Sequence, residues 1–193
     1  MIRSIILAAL LVVPVSAEAA VFSFTSTLSG DQEVPPVATD ASGTAKLTVD
    51  DEAETLDFSL QIIGFGTDDL FDALVAAPVG PVHLHNAPAG SNGPIVVPFA
   101  FDPSTYVDTT EGFDLSVTDY AFADAAALAG SDLSFDAFLA GLLGSEFYIN
   151  VHTDAFNSGE LRGQVSPVPL PASVLLMIAG LGGLAVAGGR RRT

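Results

Sequence analysis

The stretch TLDFSLQI (residues 55–62) decides the fold, because Leu56, Phe58, Leu60 and Ile62 alternate strictly with Thr55, Asp57, Ser59 and Gln61. Successive strand side chains point to opposite faces, so this segment is a strand with one apolar and one polar side. Upstream, Ala45, Leu47 and Val49 repeat the pattern, as do Phe22, Phe24 and Leu28 before them. Downstream, residues 82–86, 95–101, 113–118, 147–153 and 160–166 read as further strands, with Gly, Pro, Asn and Asp in the gaps. The period changes between 123 and 144, where Phe135, Phe138, Leu139 and Leu142 recur at helical spacing behind Ser134, a good N-cap. Many short strands with one helical insertion predict a mainly β chain: a single antiparallel β-sandwich of immunoglobulin-like or superoxide-dismutase-like shape. Cysteine is absent, so core packing rather than disulfides must hold it.

Both ends depart from this pattern. Residues 1–19 combine Arg3, the apolar run from Ile5 to Val13 and Ala17-Glu18-Ala19, the order of a signal peptide cleaved between Ala19 and Ala20. The domain then occupies 20–166. From 167 to 193 a proline-rich stretch leads into an apolar segment, 172–189, closed by Arg190, Arg191 and Arg192. Eighteen residues at about 1.5 Å each give roughly 27 Å of helix, enough to cross a bilayer core. The arginines would stay cytoplasmic and the domain outside. Val168-Pro169-Leu170-Pro171-Ala172, the apolar helix and the Arg cluster together resemble the VPLPA variant of the PEP-CTERM sorting signals of Gram-negative bacteria. That resemblance implies an inner-membrane-anchored intermediate, a membrane-embedded exosortase-type sorting enzyme as transient partner, and delivery to the cell surface or extracellular matrix.

Charge narrows the partners. Of 6 basic and 23 acidic residues, the ends take four arginines and Glu18, leaving Lys46 and Arg162 against 22 acids, a net charge of about −20. Such a field repels nucleic acid and anionic headgroups. The acidic runs Asp50-Asp51-Glu52-Ala53-Glu54 and Asp68-Asp69 lack the spacing of a calcium loop. Arg162, in phase with Glu160 and Gln164, is expected to pair with a carboxylate. Glu33, just ahead of Pro35-Pro36, reads as structural; Gly90 and Gly93 read as turn glycines.

The chain's three histidines fall in two strand-like pieces, His83 and His85 in VHLHNAP and His152 in YINVHTDAF. His-x-His places two rings on one face, and Asp154 lies in strand phase with His152. His83, His85, His152 and Asp154 could therefore hold zinc or copper. Alternatively, the imidazoles hydrogen-bond the loop 86–94 and hold it over the sheet. Copper/zinc superoxide dismutase also displays His-x-His on a β-sandwich, but its dinuclear site needs more histidines and a disulfide. No Gly-x-Ser-x-Gly elbow marks a hydrolase.

Three stretches taken together, FTSTLSGDQEVPPVATDASGTAKLTVD, VHLHNAPAGSNGPIVVPF and YINVHTDAFNSGELRGQV, are similar in order and content to the CHRD domain, named after chordin. The similarity runs from about Val21 to Val165; residues 102–144 are longer and more helical than the family pattern. It implies a β-rich extracellular module with no established catalysis. The resulting expectation is an exported, non-catalytic protein with a binding or structural role toward an extracellular polysaccharide or surface protein. The alternative is a mononuclear Cu/Zn-binding protein, possible redox activity included.

Overall fold

The computed structural model describes residues 20–169. The chain runs β1 (Val21–Ser29), β2 (Ser42–Asp50), β3 (Thr55–Ile63), α1 (Asp72–Val75), β4 (Val82–Asn86), β5 (Ile95–Phe99), β6 (Tyr106–Asp108), β7 (Gly112–Ala121), α2 (Phe122–Ala129), α3 (Phe135–Leu143), β8 (Phe147–Val151), β9 (Leu161–Gln164) and β10 (Ser166–Pro167). The alternation that predicted β3 is realised: Leu56, Phe58, Leu60 and Ile62 are buried, while Asp57, Ser59 and Gln61 face solvent. β2 pairs with β3 over its whole length, opposing Leu47 to Phe58 and Val49 to Leu56. Apolar cross-strand pairs of this kind are the unit of sheet stability.

All strands belong to one antiparallel sheet in the order β5-β4-β8-β9-β1-β2-β3-β7-β6, with β10 also on β1. This corrects the expected sandwich of two separate sheets. The closing segment is the reason: β9 bonds β8 on one side and meets β1 at Ser29 opposite Arg162, and β10 continues along β1. One strand thus stitches together what would otherwise be two sheets. The sheet curls on itself, because Phe58 on β3 stacks on Phe99 of the edge strand β5, with ring centroids 4.2 Å apart. Pro98 is tolerated on β5 because an edge strand need not donate from both sides.

The helical insertion is present as two short helices, α2 and α3. Ser134 caps α3 by accepting the Ala137 N–H at 3.3 Å, as its residue type predicts. Phe122 stacks on Phe138 at 4.6 Å, and Phe138 meets Phe147 edge to face at 5.1 Å, a chain of rings from α2 through α3 onto the apolar face of β8. Among the described residues no helix is long and apolar enough to cross a membrane. The expected signal peptide, 1–19, and membrane segment, 172–189, lie outside the described residues, as do Ala19, Leu170, Pro171 and Ala172.

Candidate metal centre

β4 and β8 are adjacent and antiparallel, and each sorts its side chains by period two. Val82, Leu84, Phe147, Ile149 and Val151 enter the apolar core. The residues between them, His83 and His85 on β4 with Tyr148 and Asn150 on β8, share the other face. Register sets His83 opposite Asn150 and His85 opposite Tyr148. His152 follows directly after β8, and its N–H donates to the Pro81 carbonyl at 3.0 Å, keeping it beside the start of β4. The three histidines are thereby drawn into one cluster.

The ring of His83 lies 5.5 Å from that of His85 and 5.0 Å from that of His152, centroid to centroid. Taking one ligand nitrogen from each, all three lie within 4.8 Å of one another. His83 is 1% exposed, and His85 and His152 are 9% exposed. The Nδ1 of His85 meets the Gly93 carbonyl, and that of His152 meets the Asn157 carbonyl, each at 2.9 Å. A carbonyl only accepts, so both Nδ1 atoms carry the proton and both Nε2 atoms present a lone pair. Those two Nε2 atoms and both nitrogens of His83 are buried without a hydrogen-bond partner.

That combination is chemically pointed. A buried polar group left unpaired costs roughly 1–3 kcal/mol, and here four gather in one place. Metal-binding histidines characteristically donate one ring N–H to a carbonyl and turn the other nitrogen to the ion. Burial, reinforced by the neighbouring rings His152 and His85, pushes the His83 imidazole down to about 3. Burial likewise lowers His85 to about 4, against an opposing pull from the Gly93 carbonyl. His152 is shifted down for the same reason. All three are neutral ligands at neutral pH. An ion held at about 2.0–2.1 Å needs its nitrogens roughly 3.3–3.6 Å apart, so at most about 1.5 Å of closure per pair completes a site.

A second layer fixes the first. Tyr148 stacks on His85, with centroids 4.8 Å apart and planes 7° from parallel. Because β8 runs between β4 and β9, the other face of Tyr148 meets β9, where the Arg162 guanidinium sits 3.5 Å from the ring centroid. Arg162 also donates to the carbonyls of Pro88 and Ser91 and to Asn92 Oδ1, tethering the loop that carries Gly93. Gly93 is required for its closeness to the strand, since a Cβ there would lie 1.9 Å from the Asn86 carbonyl oxygen. The two readings of the histidines therefore coexist: one edge of His85 holds the loop, the other faces the cluster.

Asp154 does not join. The strand phase that recommended it ends at Val151, and its exposed carboxylate instead accepts the Asp72 N–H at 3.1 Å. Arg162 is 1% exposed and held by neutral oxygens and a ring, in place of the expected carboxylate partner. Glu33 is buried, and desolvation raises it to about 7 despite the charge of Arg162. Tyr148 escaped sequence reasoning, although its phase with Asn150 and His152 was available to find it. Gly159, at φ +124, leaves room for Asn150 and Glu33 together, whose Oδ1 and Oε1 would lie 2.4 and 2.6 Å from a Cβ there.

Fold and site together define a curled antiparallel β domain with a buried three-histidine cluster roofed by a glycine-containing loop. The family model for the CHRD domain matches residues 24–165, and the chain belongs to that family. No curated protein and no solved structure matches it.

Proposed function

We propose that this CHRD protein is an exported binding protein whose domain holds one copper or zinc ion through His83, His85 and His152, without catalytic turnover. The observation that carries the reading is the convergence of three ligand nitrogens, one from each histidine, within 4.8 Å of one another in rings that keep four buried, unpartnered nitrogens between them, two of the rings being already fixed through Nδ1. A purely structural trio of histidines would satisfy those atoms within the fold. A binding role fits better than turnover, because the nitrogens are shut away from solvent and no activated nucleophile motif accompanies them.

Metal analysis of protein purified from its native periplasm or medium tests the assignment. Close to one equivalent of copper or zinc is expected, whereas less than about 0.1 equivalent, with stability unchanged on adding either ion, would overturn it.

The route rests on the ends of the chain. A signal peptide cleaved at Ala19-Ala20 would export the domain, and the VPLPA tail would hold it in the inner membrane until an exosortase-type enzyme released it to the surface or matrix. An extracellular polysaccharide or surface protein is the partner class for that location. Mass spectrometry of the surface form should find the tail lost after about Pro171. An intact Arg190-Arg191-Arg192 terminus on that form would contradict processing.

A further inference from the structure

Resting on the metal-binding reading above, we infer that the three-histidine centre selects monovalent copper, Cu(I), over divalent zinc and Cu(II). The donors are three neutral imidazoles. Among the described residues no carboxylate or thiolate joins them, Asp154 being engaged with the Asp72 N–H and cysteine being absent from the chain. No anionic ligand therefore offsets the charge of a bound ion within its own coordination shell. Burying an ion costs free energy in proportion to the square of its charge, so a dication costs about four times as much as a monocation in the same cage. The fixed charge stacked against the site has the wrong sign for a dication. Arg162 lies over one face of Tyr148 while His85 lies on the other, so a fixed positive charge is stacked one ring away from a ligand of the ion.

Coordination number points the same way. Zinc completes a tetrahedron, taking water as the fourth donor where a protein supplies only three histidines, and Cu(II) prefers a tetragonal set of nitrogen and oxygen ligands. The cluster supplies three nitrogens buried from water. Asn150, the cross-strand partner of His83, turns its amide toward Gly159, where a Cβ would lie 2.4 Å from Oδ1 and 2.8 Å from Nδ2. A filled-shell monovalent ion has no need of a fourth donor and sits comfortably among three imidazoles. The centre is thus built to keep copper in its lower oxidation state.

The test is a competition titration of the full 193-residue chain under anaerobic conditions, with Cu(I) delivered from a chromophoric Cu(I) chelator and Zn(II) from a zinc chelator. Silver(I) serves as a monovalent probe that does not change oxidation state. Expected are one equivalent of Cu(I) or Ag(I), affinity on the order of 100-fold or more above that for Zn(II), and a three-nitrogen shell by X-ray absorption. His83→Leu and His152→Gln should each abolish uptake, with circular dichroism checking that at least one of them remains folded. Zinc binding as tight as Cu(I), or a four-coordinate shell, would overturn the selectivity and leave the metal site standing. Uptake of none of the three ions by the folded wild-type chain would overturn the site itself.

Discussion

Replacing His83 by leucine separates a metal ligand from a structural histidine. His83 is 1% exposed and neither ring nitrogen has a hydrogen-bond partner, although the Val79 and Gly80 carbonyls lie near enough to bias its protonation. Each unpaired buried polar group costs roughly 1–3 kcal/mol, and leucine removes both while keeping an apolar side chain over the sheet. After allowing for lost ring contacts with His85 and His152, metal-free His83→Leu should be more stable than metal-free wild type by about 1–3 kcal/mol. A bound ion at 100 times its dissociation constant stabilises the wild type by about 2.7 kcal/mol and does nothing for the variant. Adding metal should therefore abolish or reverse the variant's advantage. Urea unfolding of chelator-treated and metal-loaded samples reads this directly, and heating should show about 2–4 °C per kcal/mol for a domain of this size. A metal-free variant less stable than wild type by more than about 1 kcal/mol would refute the reasoning, since His83 would then be making a bond that leucine destroys.

Other consequences follow from the same geometry. Metal-free stability should rise from pH 4 to 6.5, because the unfolded chain binds imidazole protons at the ordinary 6.5 that folded His83 (about 3) and His85 (about 4) refuse, each adding a slope of about 1.4 kcal/mol per pH unit. Glu33, raised from 4.5 to about 7, acts oppositely: its contribution is full below 4.5 and is lost as pH rises through 7. Glu33→Gln removes the opposing contribution, and a urea midpoint flat from pH 4 to 6.5 in that variant would contradict the histidine burials. Arg162→Met leaves the Pro88 and Ser91 carbonyls without their donor and should cost about 2–4 kcal/mol in chemical denaturation, with weaker metal uptake as the loop loosens. Gly93→Ala forces the loop off Asn86 and should reduce metal affinity more than tenfold by titration, on the order of 1.4 kcal/mol or more. Asp154→Asn should leave metal affinity within about twofold, less than 0.5 kcal/mol.

How far the sequence could be read depended on whether the information was local. β3 and β4 stand where alternation put them, and α3 begins at its serine cap, because period and capping are properties of neighbouring residues. The three-residue β6 went unseen, being too short for any period to register. The two-sheet expectation failed at the join between β9 and β1, a pairing across more than 130 positions that no local pattern encodes. At the site, His-x-His guaranteed that His83 and His85 share a face. That His152 reaches them follows from the β4–β8 register, and that Asp154 does not follows from the strand's ending at Val151. Arg162 was visible as a rare basic residue, but its bond to a loop 70 positions away was not.

The central claim, that His83, His85 and His152 share one ion, is tested most directly by a crystal structure of copper-loaded protein with anomalous scattering recorded at the copper edge. Expected is a single peak about 2.0–2.1 Å from Nε2 of His85, Nε2 of His152 and one nitrogen of His83, with the Gly93 and Asn157 contacts retained. A peak elsewhere, or no peak with the four nitrogens bonded to ordered water or protein groups, would contradict it.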